Sequence, residues 1–299
     1  MTVTDKQPHE GLAEGAMALP TNEEQVPPVY PLLPTLPLGS PLAIIDVDSD
    51  DRGDGVRTGK EMVFDTTRRM RLATGAAHLS GEQEDYIELP PRQEPTRLFA
   101  ALFAVGRFLR IPRPRRLQTN WDVFFDPTLL RYDQLNGRVS ERIDALERAG
   151  WRIVFLTSLP DSCFEVRKRQ LLEAGLLRGE ARGLICKPAS AQFLKTKHWK
   201  ALVVAGTRTH HFLEMREEDY RLLPDLLELF PWMSRGLLEY YKTRRVLYVD
   251  DEAENRRQVV AALRWFPPQA VESLVFNELA QLDSFLEPGG EQQDRPPEQ

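Results

Sequence analysis

The 299-residue chain is 41% hydrophobic and 28% charged, with a formal net charge of −6. This is an ordinary soluble composition that excludes collagen-like, wholly disordered and disulfide-framework classes. The acidic excess sits in residues 1–60, which hold ten Asp/Glu and four Lys/Arg. The remainder is neutral, so neutralisation of a phosphate backbone has no support and nucleic acid is not an expected partner.

Residues 1–41 contain eight of the 23 prolines and read as a disordered, partly polyproline II leader. Within it, Pro27-Pro28-Val29-Tyr30 matches the PPxY pattern of WW-domain ligands and offers a protein-partner contact; a plain Pro-rich leader is the simpler reading. No signal pattern opens the chain. Residues 42–118 read as an accessory segment or cap, with Leu42 to Ile45 a short strand and Thr96 to Leu109 a helix. That helix is too short to span a bilayer, so no membrane association is expected. Five arginines between Arg107 and Arg116, without an acid among them, form either an anion-binding stretch or a solvated linker.

From Trp121 the pattern is regular. Strands are expected at Val123 to Phe125, Trp151 to Leu156, Leu184 to Cys186, Arg245 to Val249 and Val271 to Phe276. Helices are expected at Ser140 to Ala149, Asp161 to Ala174, Leu237 to Tyr241, Ala253 to Trp265 and Asn277 to Leu286. Alternating strands and helices predict an α/β fold, a Rossmann-like parallel sheet with helices on both faces, over residues 119–287. Residues 288–299 read as a disordered tail. Cys163 and Cys186 form no CxxC pair, which fits a reducing, cytoplasmic setting and argues against structural zinc.

In such a sheet, ligands bind beyond the carboxyl ends of the strands. The first of these strands is followed by Asp126 and Thr128, the second by Thr157 and Ser158, and the Arg245 strand by Asp250 and Asp251, with Asn255 one turn later. Carboxylates from two strand ends and hydroxyls from a third suit Mg²⁺ and a phosphate group.

This arrangement resembles the haloacid dehalogenase (HAD) superfamily, whose four motifs are DxDx[TV], a Thr or Ser ending a strand, a Lys, and an acidic pair. Phe124 to Leu130 resembles the first motif, Thr157 the second, and Val246 to Asp251 the fourth. Thr157 lies 29 residues after Thr128, a spacing the family shows without an intervening cap. The resemblance implies a Mg²⁺-dependent phosphohydrolase acting on a small phosphorylated molecule. Asp126, Thr128, Thr157 and Lys187 would be catalytic, Ser158 and Lys197 would contact substrate, and Asp126, Asp250 and Asp251 would hold the metal.

The motif departs from the family at Phe124, which stands where the nucleophilic Asp belongs and cannot form an aspartyl-phosphate. Shifting the register by two makes Asp126 the nucleophile but leaves Leu130 where a Thr is expected. A second candidate is Leu42 to Ile45 followed by Asp46-Val47-Asp48, which keeps both aspartates and makes residues 52–135 a cap insertion. The Thr157 spacing favours Asp126. For the third motif, Lys187, Lys197, Lys200 and Arg235 all stand open. Residues 189–242 read as an insertion over the strand ends. A non-catalytic HAD-like binding or regulatory module, acting through the N-terminal extension, is the alternative function.

Other motifs fail on spacing. Asp46 to Arg57 lacks the turn Gly and the bidentate Glu of a calcium loop, and no histidine pair has metal-ligand spacing. A receiver domain opening at Val246 would need more chain than remains after Asp250.

Overall fold

A computed structural model describes residues 31–49, 60–67, 69, 125–178, 181–191, 194–267 and 269–286. Five strands form a wholly parallel sheet: β1 (Leu42–Asp46), β4 (Arg152–Pro160), β5 (Arg182–Lys187), β6 (Arg245–Val249) and β7 (Glu272–Phe276), in the order β5-β4-β1-β6-β7. A separate antiparallel pair joins β2 (Phe64–Asp65) to β3 (Gln134–Leu135). The expected α/β architecture with a Rossmann-like parallel sheet is present.

The centre of the sheet is β1, so the core begins at Leu42 and not at residue 119. All five β1 residues are buried, as a strand covered on both faces must be. Leu42 and Ile44 face one layer while Ala43 and Ile45 face the other, the alternation that a pleated strand imposes. Each such fully buried Leu or Ile contributes about 1.5–3 kcal/mol. No strand leads directly into Asp126 among the described residues: Phe125 is in a turn, and 121–124 lie outside them.

One face is covered by α1 (Val139–Arg148), α2 (Phe164–Glu173) and the C-terminal α8 (Leu282–Leu286). Val139, Ile143 and Leu146 form the buried stripe of α1 at helical spacing. On the other face lie α3 (Thr196–Ala205), α4 (Glu217–Tyr220), α5 (Leu223–Leu229), α6 (Gly236–Tyr240) and α7 (Ala253–Leu263). Residues 189–242 are therefore no lid over the strand ends. Trp199, Leu202, Leu226, Met233 and Leu237 share one core with Leu42, Ile44, Val154, Val246 and Tyr248. Gly206 ends α3 against Gly236, and both have positive φ. A Cβ on Gly236 would lie 2.3 Å from the Gly206 nitrogen, so only glycine permits this approach.

The end of the expected leader is docked. Leu32 exchanges backbone hydrogen bonds with Leu184 on β5, and the Tyr241 hydroxyl donates to the Pro34 carbonyl at 2.8 Å. The motif Pro27 to Tyr30, the helix Thr96 to Leu109, the run Arg107 to Arg116 and the tail 288–299 lie outside the described residues. No helix among the described residues is long and apolar enough to cross a membrane.

Candidate active site

The chain moves from β1 to β4 and β5 on one side, then returns to β6 and β7 on the other. The strand order reverses at β1 and β6, and the crevice beyond their carboxyl ends is where an open α/β sheet binds ligands. Asp46 closes β1 there, and Asp250 and Asp251 follow β6. These three are buried, and each places a carboxylate oxygen within 4.8 Å of the other two.

Lys200, on the buried face of α3, joins the two strands. Its Nζ donates to Asp46 Oδ2 at 2.6 Å and to Asp250 Oδ2 at 2.8 Å. Asp250 also accepts from the Tyr248 hydroxyl at 2.7 Å, from the Glu252 backbone N–H at 2.9 Å and from Asn255 Nδ2. It therefore holds the turn that leads into α7 while facing Lys200. Burial pushes the Asp46 carboxyl well above the usual aspartate range; Lys200 draws it down, and Asp250 and Asp251 push it further up. For Lys200 burial acts downward, but Asp250 and Asp46 outweigh it and hold the ammonium above the usual lysine range. Lys60 and Arg256 reach this cluster only at the backbone carbonyls of Asp251 and Asp250. Three carboxylates thus meet around the Lys200 ammonium, which pairs with Asp46 and Asp250. An all-carboxylate, all-oxygen donor set of this kind fits a hard divalent cation.

Asp48, two residues beyond Asp46, belongs to an adjoining buried network. The Thr157 hydroxyl at the bend in β4 donates to Asp48 Oδ2 at 2.5 Å and accepts from the Leu159 N–H at 3.1 Å. Arg167 on α2 bridges Asp48 at 2.5 Å and Asp133 at 2.6 Å, and Arg69 lies 3.1 Å from Asp133 and 3.5 Å from Asp48. Both guanidinium groups are wholly buried. Burial lowers the Arg69 pKa. It acts the same way on Arg167, where Asp48 and Asp133 overcome it and raise the pKa.

Of the residues expected from the sequence, Thr157, Asp250 and Asp251 lie in this crevice, together with the second-choice pair Asp46 and Asp48. Asp126 does not join them. Its Oδ1 accepts from the Thr128 N–H at 2.8 Å and hydroxyl at 2.7 Å, so it caps the short 3-10 turn Pro127–Tyr132, and Thr128 is exposed. Lys187 is buried with its Nζ on the Leu194 carbonyl. Lys197 pairs with Glu254 at 3.0 Å on the outer side of α3. Ser158 is half-buried, with no contact to the carboxylates. Arg235 lies on another cavity. Of the lysine candidates, Lys200 bridges the carboxylates. Sequence reasoning missed Arg69, Asp133 and Arg167. A helical stripe that places Arg167 in register with Phe164 and Leu171 is the signal that could have exposed the last of them.

No family model matches the chain, and no curated protein matches it. Among solved structures, the chain is similar to the Legionella pneumophila effector Ceg4. The identity is 13% and the TM-score 0.32, covering 84% of this chain and 96% of that one. At that level the likeness bears on neither the site nor its chemistry.

Proposed function

We propose that this chain is a Mg²⁺-dependent phosphohydrolase of the HAD type acting on a small phosphoester, with Asp46 as nucleophile. The observation that supports it most is the meeting of Asp46, Asp250 and Asp251 around Lys200 at the switch point of the sheet. This corresponds to the Asp46-Val47-Asp48 form of the first motif, with Lys200 as the third.

In this reading an Asp46 carboxylate oxygen attacks phosphorus, the bond from phosphorus to the leaving oxygen breaks, and the leaving oxygen takes a proton. Water then attacks the aspartyl-phosphate at phosphorus, releasing phosphate and restoring Asp46. Asp48, oriented by Thr157 and Arg167, handles the proton in each half. Lys200 keeps Asp46 oriented and offsets the charge that collects on the phosphoryl oxygens. Asp46, Asp250 and Asp251 would hold Mg²⁺, which supplies further neutralisation of that charge.

The test is hydrolysis of an aryl phosphate with Mg²⁺. Wild type should turn over, and Asp46→Asn should lose activity on the order of a millionfold, the scale for removing a covalent nucleophile. Asp126→Asn should stay within about twofold, since its carboxylate caps the turn Pro127–Tyr132 and is not among the clustered carboxylates. An inactive wild type, or an Asp46→Asn protein as active as wild type, overturns the reading.

A further inference from the structure

At the opposite, amino end of the sheet, a cavity of about 460 Å³ opens between α6 and the residues leading into β7. It lies beside the starts of β6 and β7, roughly 16 Å along the five-residue strands from the carboxylates at their other ends. Its volume is within the range of small-molecule sites.

Three of its wall residues are cations: Arg208, Arg235 and Lys242. Glu239, the acid in the wall, pairs with Arg208 at 3.6 Å. Among the described residues, no carboxylate lies within ion-pair reach of Arg235 or Lys242. The same cavity is lined by Leu238, Phe266 and Val271. It therefore offers two uncompensated charges at the two ends of α6 and an apolar wall beside them.

A second observation concerns Lys242 itself. The helix α6 closes with the Thr243 N–H on the Leu238 carbonyl at 3.0 Å and the Lys242 N–H on the Glu239 carbonyl. This places Lys242 in the left-handed position after the helix, at φ 52°. Glycine is the residue that position favours. Every other residue with clearly positive φ among those described is a glycine: Gly39, Gly150, Gly175, Gly206 and Gly236. A lysine held there at a conformational cost points to a use for its side chain. At the other end, the backbone of exposed Arg235 is set by the close approach of Gly236 to Gly206.

We infer that this cavity binds a small organic oxyanion, with a phosphate-class head between Arg235 and Lys242 and an apolar body against Phe266 and Val271. The inference is independent of catalysis at Asp46.

The probe is phenylphosphonate, which lacks a hydrolysable ester, titrated calorimetrically into the full chain without added metal. Binding should weaken at least tenfold in Arg235→Gln and in Lys242→Gly, and it should fall with added salt. Inorganic phosphate, which has the head without the body, should bind more weakly than phenylphosphonate. In the absence of ligand, Lys242→Gly should raise Tm, because glycine relieves the left-handed backbone. Absence of binding, or affinity unchanged in the two variants, overturns the inference; the latter would place the ligand elsewhere, the carboxylate crevice included. A Tm lowered in Lys242→Gly would show that the lysine is there for the fold and would overturn it as well.

Discussion

Replacing Lys200 by Met tests the electrostatics of the crevice without emptying it. The side chains are similar in volume, so the cavity contribution is small, and the change removes the ammonium that lies 2.6 Å from Asp46 and 2.8 Å from Asp250. Both carboxylates are nearly inaccessible, so water cannot replace the lost partner. Breaking a buried ion pair on one side costs about 3–5 kcal/mol. For a core of this size that corresponds to a fall in Tm of roughly 6–20 °C.

Urea unfolding at neutral pH measures the loss, and an unchanged m-value would show that it is a loss of stability and not of compactness. The double variant Lys200→Met with Asp46→Asn should recover part of it, because one orphaned charge is removed with its partner. A loss below about 1 kcal/mol in Lys200→Met, the level of an exposed pair, would refute the charge-balance account. A double variant whose losses simply add would refute the coupling of Lys200 to Asp46.

Arg167→Met should destabilise by about 3–5 kcal/mol, since Asp48 and Asp133 lose one of the two arginines they share inside the protein and one buried carboxylate is left uncompensated. Arg167→Lys should recover only part of this, because one ammonium cannot reproduce the planar fork; thermal melts compare the two. Gly236→Ala should cost about 2–4 kcal/mol through its positive φ and the clash with Gly206, read as a lowered urea midpoint. The raised pKa of Lys200 also sets an alkaline dependence. The unfolded lysine loses its proton near pH 10.4 while the folded one keeps it. The folded state then binds more protons and stability falls as pH rises. Above about pH 10.4, wild type should lose stability more steeply than Lys200→Met, and parallel curves would contradict this.

Apolar runs that stop at polar residues made much of the sheet legible. Arg245 to Val249 before Asp250-Asp251, and Ile153 to Leu156 before Thr157, show both the strand and what stands at its end. Helix limits fall within a few residues where a glycine or an apolar stripe marks them. The placing of Asp126 beside Asp250 and Asp251 misled for a physical reason. Asp126-Pro127-Thr128 has the letters of a ligand loop, but an Asp two residues before a Thr is also a local cap, and only the surrounding fold separates the two uses. The spacing to Thr157 reinforced the error because it assumes a short connection. The actual partner of Thr157 is Asp48, 109 residues earlier. The arginine network was beyond reach for a related reason. Arg167 meets Asp48 across 119 residues and Asp133 across 34, and an arginine on a helix reads as solvated unless its partners are already known.

The topology also shows how the described ends of the excursion after β1 are fastened beside the crevice. The chain leaves β1 at its carboxyl end, and its first steps are tied back at once. Phe64 donates to the Val47 carbonyl at 2.9 Å, Ser49 donates to the Phe64 carbonyl at 3.1 Å, and the Thr66 hydroxyl donates to the Ser49 carbonyl at 3.0 Å. The return is tied to the same place, where β3 pairs with β2 and the Asn136 N–H donates to the Val63 carbonyl at 3.1 Å. Closing a loop of this length costs little more than closing a short one, because the entropy grows only with the logarithm of length. The central strand can therefore carry Asp46 and Asp48 at its end and still tolerate a large insertion directly behind them. Asp133 and Arg69, one near each end of that insertion, meet beside Asp48. The charges that hold Asp48 thus also fasten both ends of the excursion to the sheet, and a change that loosens the arginine pair should be felt at the candidate acid–base residue as well as in the fold.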